Sequence, residues 1–94
     1  MQINHHESET KGMFYIGEKK DPEAEMSYSK AGDTLIIIDH TTVSDTLKGK
    51  GAGKQLVAAA VAYAREKKVK VLPLCPFTSS VFDKVAEYRD VLHS

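Results

Sequence analysis

The feature of this chain that most restricts its fold is a run of four branched aliphatic residues, Leu35 to Ile38. A strand of this composition is apolar on both faces, and such strands normally lie inside a sheet with cover on each side. Turn-forming residues, Ala31-Gly32-Asp33, come before the run, and a polar segment follows it. The sequence therefore predicts a sheet built around this strand.

The segments that precede this strand predict an antiparallel meander. Met13 to Lys19 begins with strand-forming residues, and residues 24–29 alternate between apolar and polar with the period of a half-buried strand. A turn at Asp21-Pro22-Glu23 separates them. We expect three strands joined by short turns, with the last strand innermost. Met1 to Gly12 is polar and forms either a short edge strand or a loose tail.

The second half of the chain predicts a helix, a strand and a final helix. Apolar residues recur at helical spacing from Ala52 to Lys68. Val69 to Leu74 predicts a short strand that ends around Pro73 and Pro76. Ser79 to Val91 predicts the last helix, with buried positions at Phe82, Val85, Ala86 and Val91. A strand–helix–strand unit requires a crossover and a parallel pair, so the fold class is α+β with a mixed sheet.

Composition limits the classes of protein that this chain can represent. Its 94 residues suffice for one domain, spanning 1–94. Thirteen basic residues balance thirteen acidic ones, which argues against a general nucleic-acid binder. The single cysteine excludes an internal disulfide framework, and no apolar run reaches the roughly 18 residues of a membrane helix. With no signal-like N-terminus, we expect a soluble cytoplasmic domain that binds neither nucleic acid nor membrane.

A glycine-rich segment, Lys48-Gly49-Lys50-Gly51-Ala52-Gly53-Lys54, lies directly before the predicted long helix. Free backbone N–H groups and the helix dipole make such a turn an anion site, and the lysines add positive charge. The P-loop pattern fails, because Lys48 replaces its first glycine and Gln55 replaces its Ser/Thr. The dinucleotide pattern fails as well, since Lys54 stands at its last glycine. The remaining alternatives are a phosphate cradle of another kind and an ordinary helix start.

A third pattern fits this segment. Residues 48–53 resemble the Arg/Gln-x-x-Gly-x-Gly/Ala turn of the GNAT acetyltransferases, with lysine at the position of arginine or glutamine. Asp39-His40-Thr41-Thr42-Val43 and Pro73-Leu74-Cys75-Pro76-Phe77 make the chain similar to the small cysteine-containing GNAT-like proteins. The resemblance covers Met13 to about Tyr88. It implies a GNAT-like mixed sheet with an antiparallel meander, a central crossover through glycine turn and helix, and a C-terminal helix.

The resemblance also implies a cofactor, acetyl-CoA or CoA, and a set of residues that act on it. The cofactor-binding residues would be Val43, Lys48, Gly49, Lys50, Gly51, Ala52, Gly53 and Lys54. Cys75 would lie near the acetyl group. Independently of the resemblance, His40 is a candidate base or hydrogen-bond partner, because histidine is a common acid or base near neutral pH. Each of these two residues has a purely structural alternative. Cys75 could be a buried residue that only packs, and His40 could be a residue at the end of a strand whose hydrogen bonds are made within the protein. Thr42 stands where the family pattern has glutamate, so a base at that position would be missing.

The function implied is transfer of an acetyl group to an unknown amine, either directly or through acetyl-Cys75. The alternative is a non-catalytic module that binds acetyl-CoA or CoA or acetylates itself. GNAT enzymes have helices between their first two strands, and here only the stretch before Met13 is available. The acceptor is therefore expected to be large, such as another macromolecule, or to bind where a partner completes the site. His5, His6 and Glu7 lack the spacing of a metal site and are expected to be surface residues.

Overall fold

The computed structural model describes residues 2–93. They form one five-stranded mixed sheet, two α-helices and a 3-10 segment, which confirms the α+β class. The strands are β1 (Asn4–Glu7), β2 (Lys11–Glu18), β3 (Asp21–Ala31), β4 (Leu35–Val43) and β5 (Lys70–Pro73). The helices are α1 (Ala52–Lys67) and α2 (Pro76–Lys84), and the 3-10 segment is Ala86–Val91.

The sheet follows the order of the chain, β1-β2-β3-β4-β5. The first four strands pair antiparallel, and β4 pairs with β5 in parallel, as the strand–helix–strand unit predicted. Of the two alternatives for the N-terminal segment, the structure has the edge strand. The prediction that the aliphatic strand is innermost is wrong, because β3 is the middle strand and β4 lies between β3 and β5.

The core lies on one face of the sheet. Ile36 and Ile38 are buried in the same cluster as Leu56 of α1 and Phe82 of α2, so both helices cover the same face. Leu35, Ile37 and their neighbours on the other face are only half-buried and lie outside this cluster. The expectation that other parts of the protein cover both faces of the aliphatic strand is therefore wrong for residues 2–93. The physical reason is that the second helix packs beside the first one and not across the sheet.

The predicted C-terminal helix is wrong in its bounds and its continuity. Helix α2 begins at Pro76, ends at Lys84, and gives way at extended Val85 to the 3-10 segment. Arg65 of α1 holds this segment by donating two hydrogen bonds to the carboxylate of Asp90, at 3.0 and 2.9 Å. Tertiary contacts thus override the helical pattern. Ala86, which was expected to be buried, is exposed.

Strands β4 and β5 separate at Pro73, near the point where the sequence predicts that the last strand ends. Their pairing ends at Ile38 and Pro73, and the last backbone hydrogen bond runs from the N–H of Leu74 to the carbonyl of Ile38, at 3.2 Å. Proline cannot donate to a sheet ladder, and Pro76 instead starts α2 at a position where its missing N–H has no cost. Beyond Ile38, β4 continues beside β3 to Val43 with no strand of the described chain on its other side. A split therefore opens between β4 and α2.

Candidate functional site

The glycine turn leaves the start of α1 open to a ligand. The first hydrogen bond of the helix runs from the N–H of Gln55 to the carbonyl of Gly51, at 3.0 Å, and no side chain caps this end. The backbone N–H groups of Ala52, Gly53 and Lys54 precede that bond and have no partner within the helix. Gly49 and Gly51 both have φ of 79°, a conformation that only glycine adopts without strain. The local sequence therefore leaves a helix terminus whose free N–H groups can accept an anion as a hydrogen-bond partner.

A cavity of about 560 Å³ lies against this turn. Most of the predicted cofactor-binding residues line it: Val43, Lys48, Gly49, Gly51, Ala52, Gly53 and Lys54. Lys50 does not line it, and its N–H is bonded to the carbonyl of Leu47 at 3.2 Å. The cavity wall also contains Thr41, Leu47 and Phe77, which sequence reasoning did not single out. The structure thus joins the end of β4, the turn and the start of α2 in one concave surface.

Phe77 shapes this cavity through its contact with Gly53. An added Cβ at Gly53 would lie 2.6 Å from the Cζ atom of Phe77, so the ring occupies the space that a side chain would need. Phe77 is 40% exposed despite its size, and it forms part of the wall of a second, smaller cavity. The signal for this pairing in the sequence is a glycine at the second residue of a helix, a residue type with low helix propensity.

Cys75 lies just outside the cavity lining, at the residue that precedes α2. It is 6% exposed and has no disulfide partner. Burial raises the pKa of its thiol. Hydrogen bonds from the backbone N–H of Thr78, the hydroxyl of Thr41 and the N–H of Phe77 lower this pKa by more than burial raises it. The pKa of Cys75 therefore lies below its ordinary value. This favours the thiolate, which is the nucleophilic form.

Two threonines connect Cys75 to the cavity. Thr78 is fully buried, and its hydroxyl lies 3.3 Å from the hydroxyl of Thr41, which lines the cavity. Either hydroxyl can donate in this pair. Thr41 is therefore shared by the cavity wall and the surroundings of the thiol.

The structure does not bring His40 into the cavity wall. Its Nδ1 lies 3.0 Å from the hydroxyl of Ser27, on the face of the sheet away from the helices. Thr42 is exposed, and Glu25 lies opposite it on β3 in the register of the sheet. A role for His40 in chemistry thus requires an acceptor that approaches through the split from this open face.

A second group of polar residues lies at the other end of α1, around Glu7. Its carboxylate accepts a hydrogen bond from the hydroxyl of Tyr63 at 3.0 Å and pairs with the ammonium of Lys30 at 2.9 Å. His5 stacks on Phe14 with ring centroids 4.3 Å apart, and its Nε2 lies 2.7 Å from the hydroxyl of buried Tyr28. We refer to these residues as the Glu7 cluster. All three of His5, His6 and Glu7 are exposed, as expected of surface residues, and His5 and Glu7 also make contacts that anchor the edge strand.

Neither a metal centre nor a membrane span emerges from the described residues. Across residues 2–93, no three His, Cys, Asp or Glu side chains converge as metal ligands would. No helix in this range has the length and apolar composition needed to cross a membrane.

Comparison with known proteins agrees with this architecture. The model of the GCN5-related N-acetyltransferase family matches residues 13–91. A GCN5-like protein from Staphylococcus aureus, described as a candidate N-acetyltransferase, superposes with a TM-score of 0.77 at 38% identity. That match covers 99% of this chain and 88% of the other. No curated protein matches the chain.

Two more distant structures share the fold. A ribosomal-protein-alanine N-acetyltransferase from Brucella melitensis biovar Abortus 2308 superposes with a TM-score of 0.67 at 15% identity, over 83% of this chain and 62% of that one. AAC(6')-Iy in complex with the bisubstrate analogue CoA-S-monomethyl-acetylneamine superposes with a TM-score of 0.57 at 13% identity, over 82% and 61%. The family match and the relative at 38% identity together carry the assignment. The chain belongs to the GCN5-related N-acetyltransferase family.

Proposed function

We propose that this protein binds acetyl-CoA as a single domain and moves its acetyl group to an amine. The observation that carries the proposal is the cavity of about 560 Å³ at the uncapped start of α1. Three N–H groups without a partner in the helix, the helix dipole and Lys54 offer a pyrophosphate both hydrogen bonds and charge. Lys48 can add to this charge on leaving Asp45, with which it pairs at 3.0 Å. The lining contains no carboxylate, so nothing in it repels an anion.

The other end of the same cavity suits the pantetheine arm. Val43, Leu47 and Phe77 provide apolar contact there. β4 has a free backbone edge beyond Ile38, and an amide-bearing chain can hydrogen-bond to such an edge as a further strand would. A ligand placed along this edge directs its thioester towards Thr41 and the split before Cys75.

Cys75 is the residue that we propose to face the thioester. Acetyl-CoA supplies an activated acyl carbon. The Cys75 thiolate attacks that carbon, the new bond joins Sγ to the acetyl group, and the thiolate of CoA leaves. An amine then attacks the acetyl-Cys75 carbonyl and restores the thiolate. The low exposure of Cys75 also fits direct attack by the amine on acetyl-CoA, with the cysteine packed behind the site.

His40 is the proposed base for the incoming amine. Its imidazole lies on the open face of the sheet beside the split and is held by Ser27. A histidine can take up a proton near neutral pH, which is required because an amine must lose one before or during attack. The amine would therefore reach the acetyl group from the open face, while the cofactor occupies the face with the helices.

The alternative is a module that binds the cofactor or acetylates Cys75 without turnover. Absence of a carboxylate at Thr42 and burial of Cys75 favour it. One experiment separates the possibilities: incubation with acetyl-CoA labelled in the acetyl group, with and without lysine-containing peptides and spermidine. Intact mass and peptide mapping follow the label, with Cys75→Ala as the control.

Transfer of label to an added amine supports the enzyme. Transfer that Cys75→Ala abolishes supports the covalent route, and transfer that survives in this variant supports direct attack. A stable label on Cys75 without transfer supports the module. If neither the protein nor any amine acquires label and the cofactor does not bind, the proposed function is wrong.

A further inference from the structure

The register of the sheet is interrupted at the point where β4 leaves β5. Ser27 of β3 pairs with His40, and the next residue, Tyr28, pairs with Ile38, so Asp39 is an extra residue on β4. An extra residue of this kind forms a β-bulge, which changes the direction of the side chains beside it. The carbonyl of Ile38 accepts the last backbone hydrogen bond before the split. The bulge therefore lies where the split begins.

The bulge turns two consecutive side chains to the same face of the sheet. Successive side chains of a regular strand point to opposite faces. Here the hydroxyl of Ser29 donates to the carboxylate of Asp39 at 2.8 Å, and the hydroxyl of Ser27 lies 3.0 Å from Nδ1 of His40. Ser27 and Ser29 lie on either side of buried Tyr28, so both belong to the open face. A carboxylate and an imidazole thus lie side by side on that face.

The carboxylate of Asp39 has no cation as a partner. The ion pairs among residues 2–93 involve the carboxylates of Glu7, Asp45 and Asp90, so no cation of this range lies within 4.0 Å of Asp39. Lys11 on the neighbouring part of β2 forms no such pair with it. Asp39 is also exposed, so a ligand can reach it. An exposed carboxylate of this kind can bind an ammonium group through a charge-assisted hydrogen bond.

We propose that Asp39 binds the ammonium group of the acceptor and makes the protein selective for primary alkylamines. The inference rests on the proposed function, whose acceptor is an amine that arrives from the open face. An alkylamine such as a lysine side chain has a pKa of about 10.4, so roughly one molecule in two thousand is neutral at pH 7. The acceptor therefore reaches the protein as a cation, and its charge is what Asp39 recognises. An arylamine is neutral at this pH and offers no such charge.

The neighbouring imidazole then removes a proton from the bound ammonium group. Because Nδ1 of His40 is occupied by Ser27, its Nε2 is the nitrogen that takes this proton. The neutral amine attacks the acetyl carbon in the split, a C–N bond forms and the C–S bond breaks. The departing thiolate takes the second proton of the nitrogen, and exposed His40 returns its own proton to water. Asp39 orients the acceptor throughout and takes no proton.

The test compares three acceptors of acetyl-CoA in the variant Asp39→Asn, which removes the charge and keeps an oxygen for Ser29. For Nα-acetyl-lysine amide and for spermidine, KM is expected to rise about three- to tenfold with kcat close to the wild-type value. For aniline, both constants are expected to stay unchanged. Asp33→Asn, at an exposed carboxylate in the turn before β4, is the matched control and keeps the wild-type constants.

The two alkylamines also distinguish the source of the ammonium group. A rise in KM confined to the lysine derivative supports the inference with a lysine side chain as the acceptor, and a rise confined to spermidine supports it with a polyamine. Ser29→Ala keeps the charge of Asp39 but removes the hydrogen bond that orients it. This variant should raise KM for the same alkylamine by a smaller factor.

A second measurement requires no turnover. Nα-acetyl-lysine amide, added to protein saturated with CoA, is expected to shift the amide resonances of Asp39 and His40, and much less so in Asp39→Asn. An unchanged KM for both alkylamines in Asp39→Asn, or an equal rise for aniline, overturns the inference while acetyl transfer stands. Binding at Asp39 without transfer to any amine supports the inference while the proposed enzyme fails. If there is neither binding nor transfer, both are wrong.

Discussion

The three glycines of the turn have two different physical roles. Gly49 and Gly51 have positive φ, and an added Cβ at either would meet nothing within 4 Å, so the constraint there is conformational. A residue with a side chain costs roughly 1–2 kcal/mol in this conformation. Gly53 has ordinary helical geometry, and its constraint is the ring of Phe77. The first two residues aim the backbone N–H groups, and the third one sets the width of the cavity.

Gly53→Ala is therefore expected to impair binding more than stability. Alanine gains about 1 kcal/mol of helix propensity, and the half-exposed Phe77 ring can rotate away, so the free energy of unfolding should change by less than about 1 kcal/mol. The displaced ring narrows the cavity, and the dissociation constant for acetyl-CoA should rise several-fold. Calorimetry and denaturant unfolding measure the two effects. In a Phe77→Ala background the same substitution should simply stabilise α1; destabilisation there would contradict the explanation.

Two adjacent threonines provide a matched pair for testing the surroundings of Cys75. Thr41→Val removes a hydroxyl that lowers the pKa of the thiol, so the pKa should rise. At a fixed pH near 7 the thiolate fraction should fall, and with it the rate of alkylation by iodoacetamide. Thr42→Val alters the exposed neighbour on the opposite face and should leave that rate unchanged. A shift of the alkylation profile to lower pH in Thr41→Val would refute this account.

At the scale of single residues, the sequence identified the glycine turn because its signal is local. Val43 and the glycines line one cavity, since strand, turn and helix follow one another along the chain, and their binding of a cofactor stays a prediction. Thr41 and Phe77 were not found, because their importance arises from contacts between segments far apart in sequence. The roles of Cys75 and His40 stay predictions, which the labelling experiment tests.

Among the secondary-structure elements, β1 depends most on side-chain contacts, because it is a four-residue edge strand. The Glu7 cluster ties it to β3 and α1 through Lys30 and Tyr63. Glu7 is exposed, and hydrogen bonds from these two groups lower the pKa of its carboxyl. Gly12 leaves space for the ring of Tyr28, whose Cζ would lie 2.3 Å from an added Cβ. Polar contacts of Glu7 and stacking of the His5 ring on Phe14 thus hold the N-terminal strand in place.

His5 should make the stability of the protein depend on pH. Partial burial lowers the pKa of its imidazole, with Lys30 adding to the effect and Glu7 opposing it. Below the ordinary pKa of about 6.5 the unfolded chain binds a proton that the folded state resists, so stability should fall as pH drops from 7 to 5. His5→Gln should flatten this dependence in thermal unfolding curves. His6→Gln, on the other face of β1, should retain it. A wild-type stability that rises on acidification would contradict this assignment.

The two helices also show where sequence patterns predict secondary structure well and where they do not. Helix α1 was predicted to within one residue of its end, because its apolar stripe faces a single core. The continuous helix from Ser79 to Val91 was wrong, since Pro76 starts α2 earlier and contacts of Arg65 with the 3-10 segment replace the last turns. The residues Lys84-Val85-Ala86 contain no glycine or proline that would predict the end of α2 at this point.

For the whole molecule, the important fact is that both helices pack on one face of the sheet. The opposite face carries half-buried Leu35 and Ile37 beside polar Ser27 and His40. Leu74, which is 61% exposed, adds an apolar side chain near the split. A large acceptor that supplies its own surface suits this arrangement better than a small one in need of an enclosed pocket.

Ligand binding should stabilise a molecule of this size markedly. At a concentration of acetyl-CoA about a hundred times its dissociation constant, the free energy of unfolding should rise by about 2.7 kcal/mol. For a domain of this length, that corresponds to an increase in Tm of about 10–20 °C. Differential scanning fluorimetry measures the shift, with CoA expected to give a similar value. An unchanged Tm at saturating acetyl-CoA would count against a cofactor site.

The most direct test of the central claim is a titration of isotopically labelled protein with acetyl-CoA, and separately with ATP, followed residue by residue by NMR. The account predicts shifts centred on Val43 to Lys54 and on Cys75 that are strong with acetyl-CoA and much weaker with ATP. Absence of shifts would mean that the glycine turn is an ordinary helix start, and equal shifts with both ligands would mean that it is a general phosphate-binding site. Acetyl-CoA recognition at this site would then be wrong.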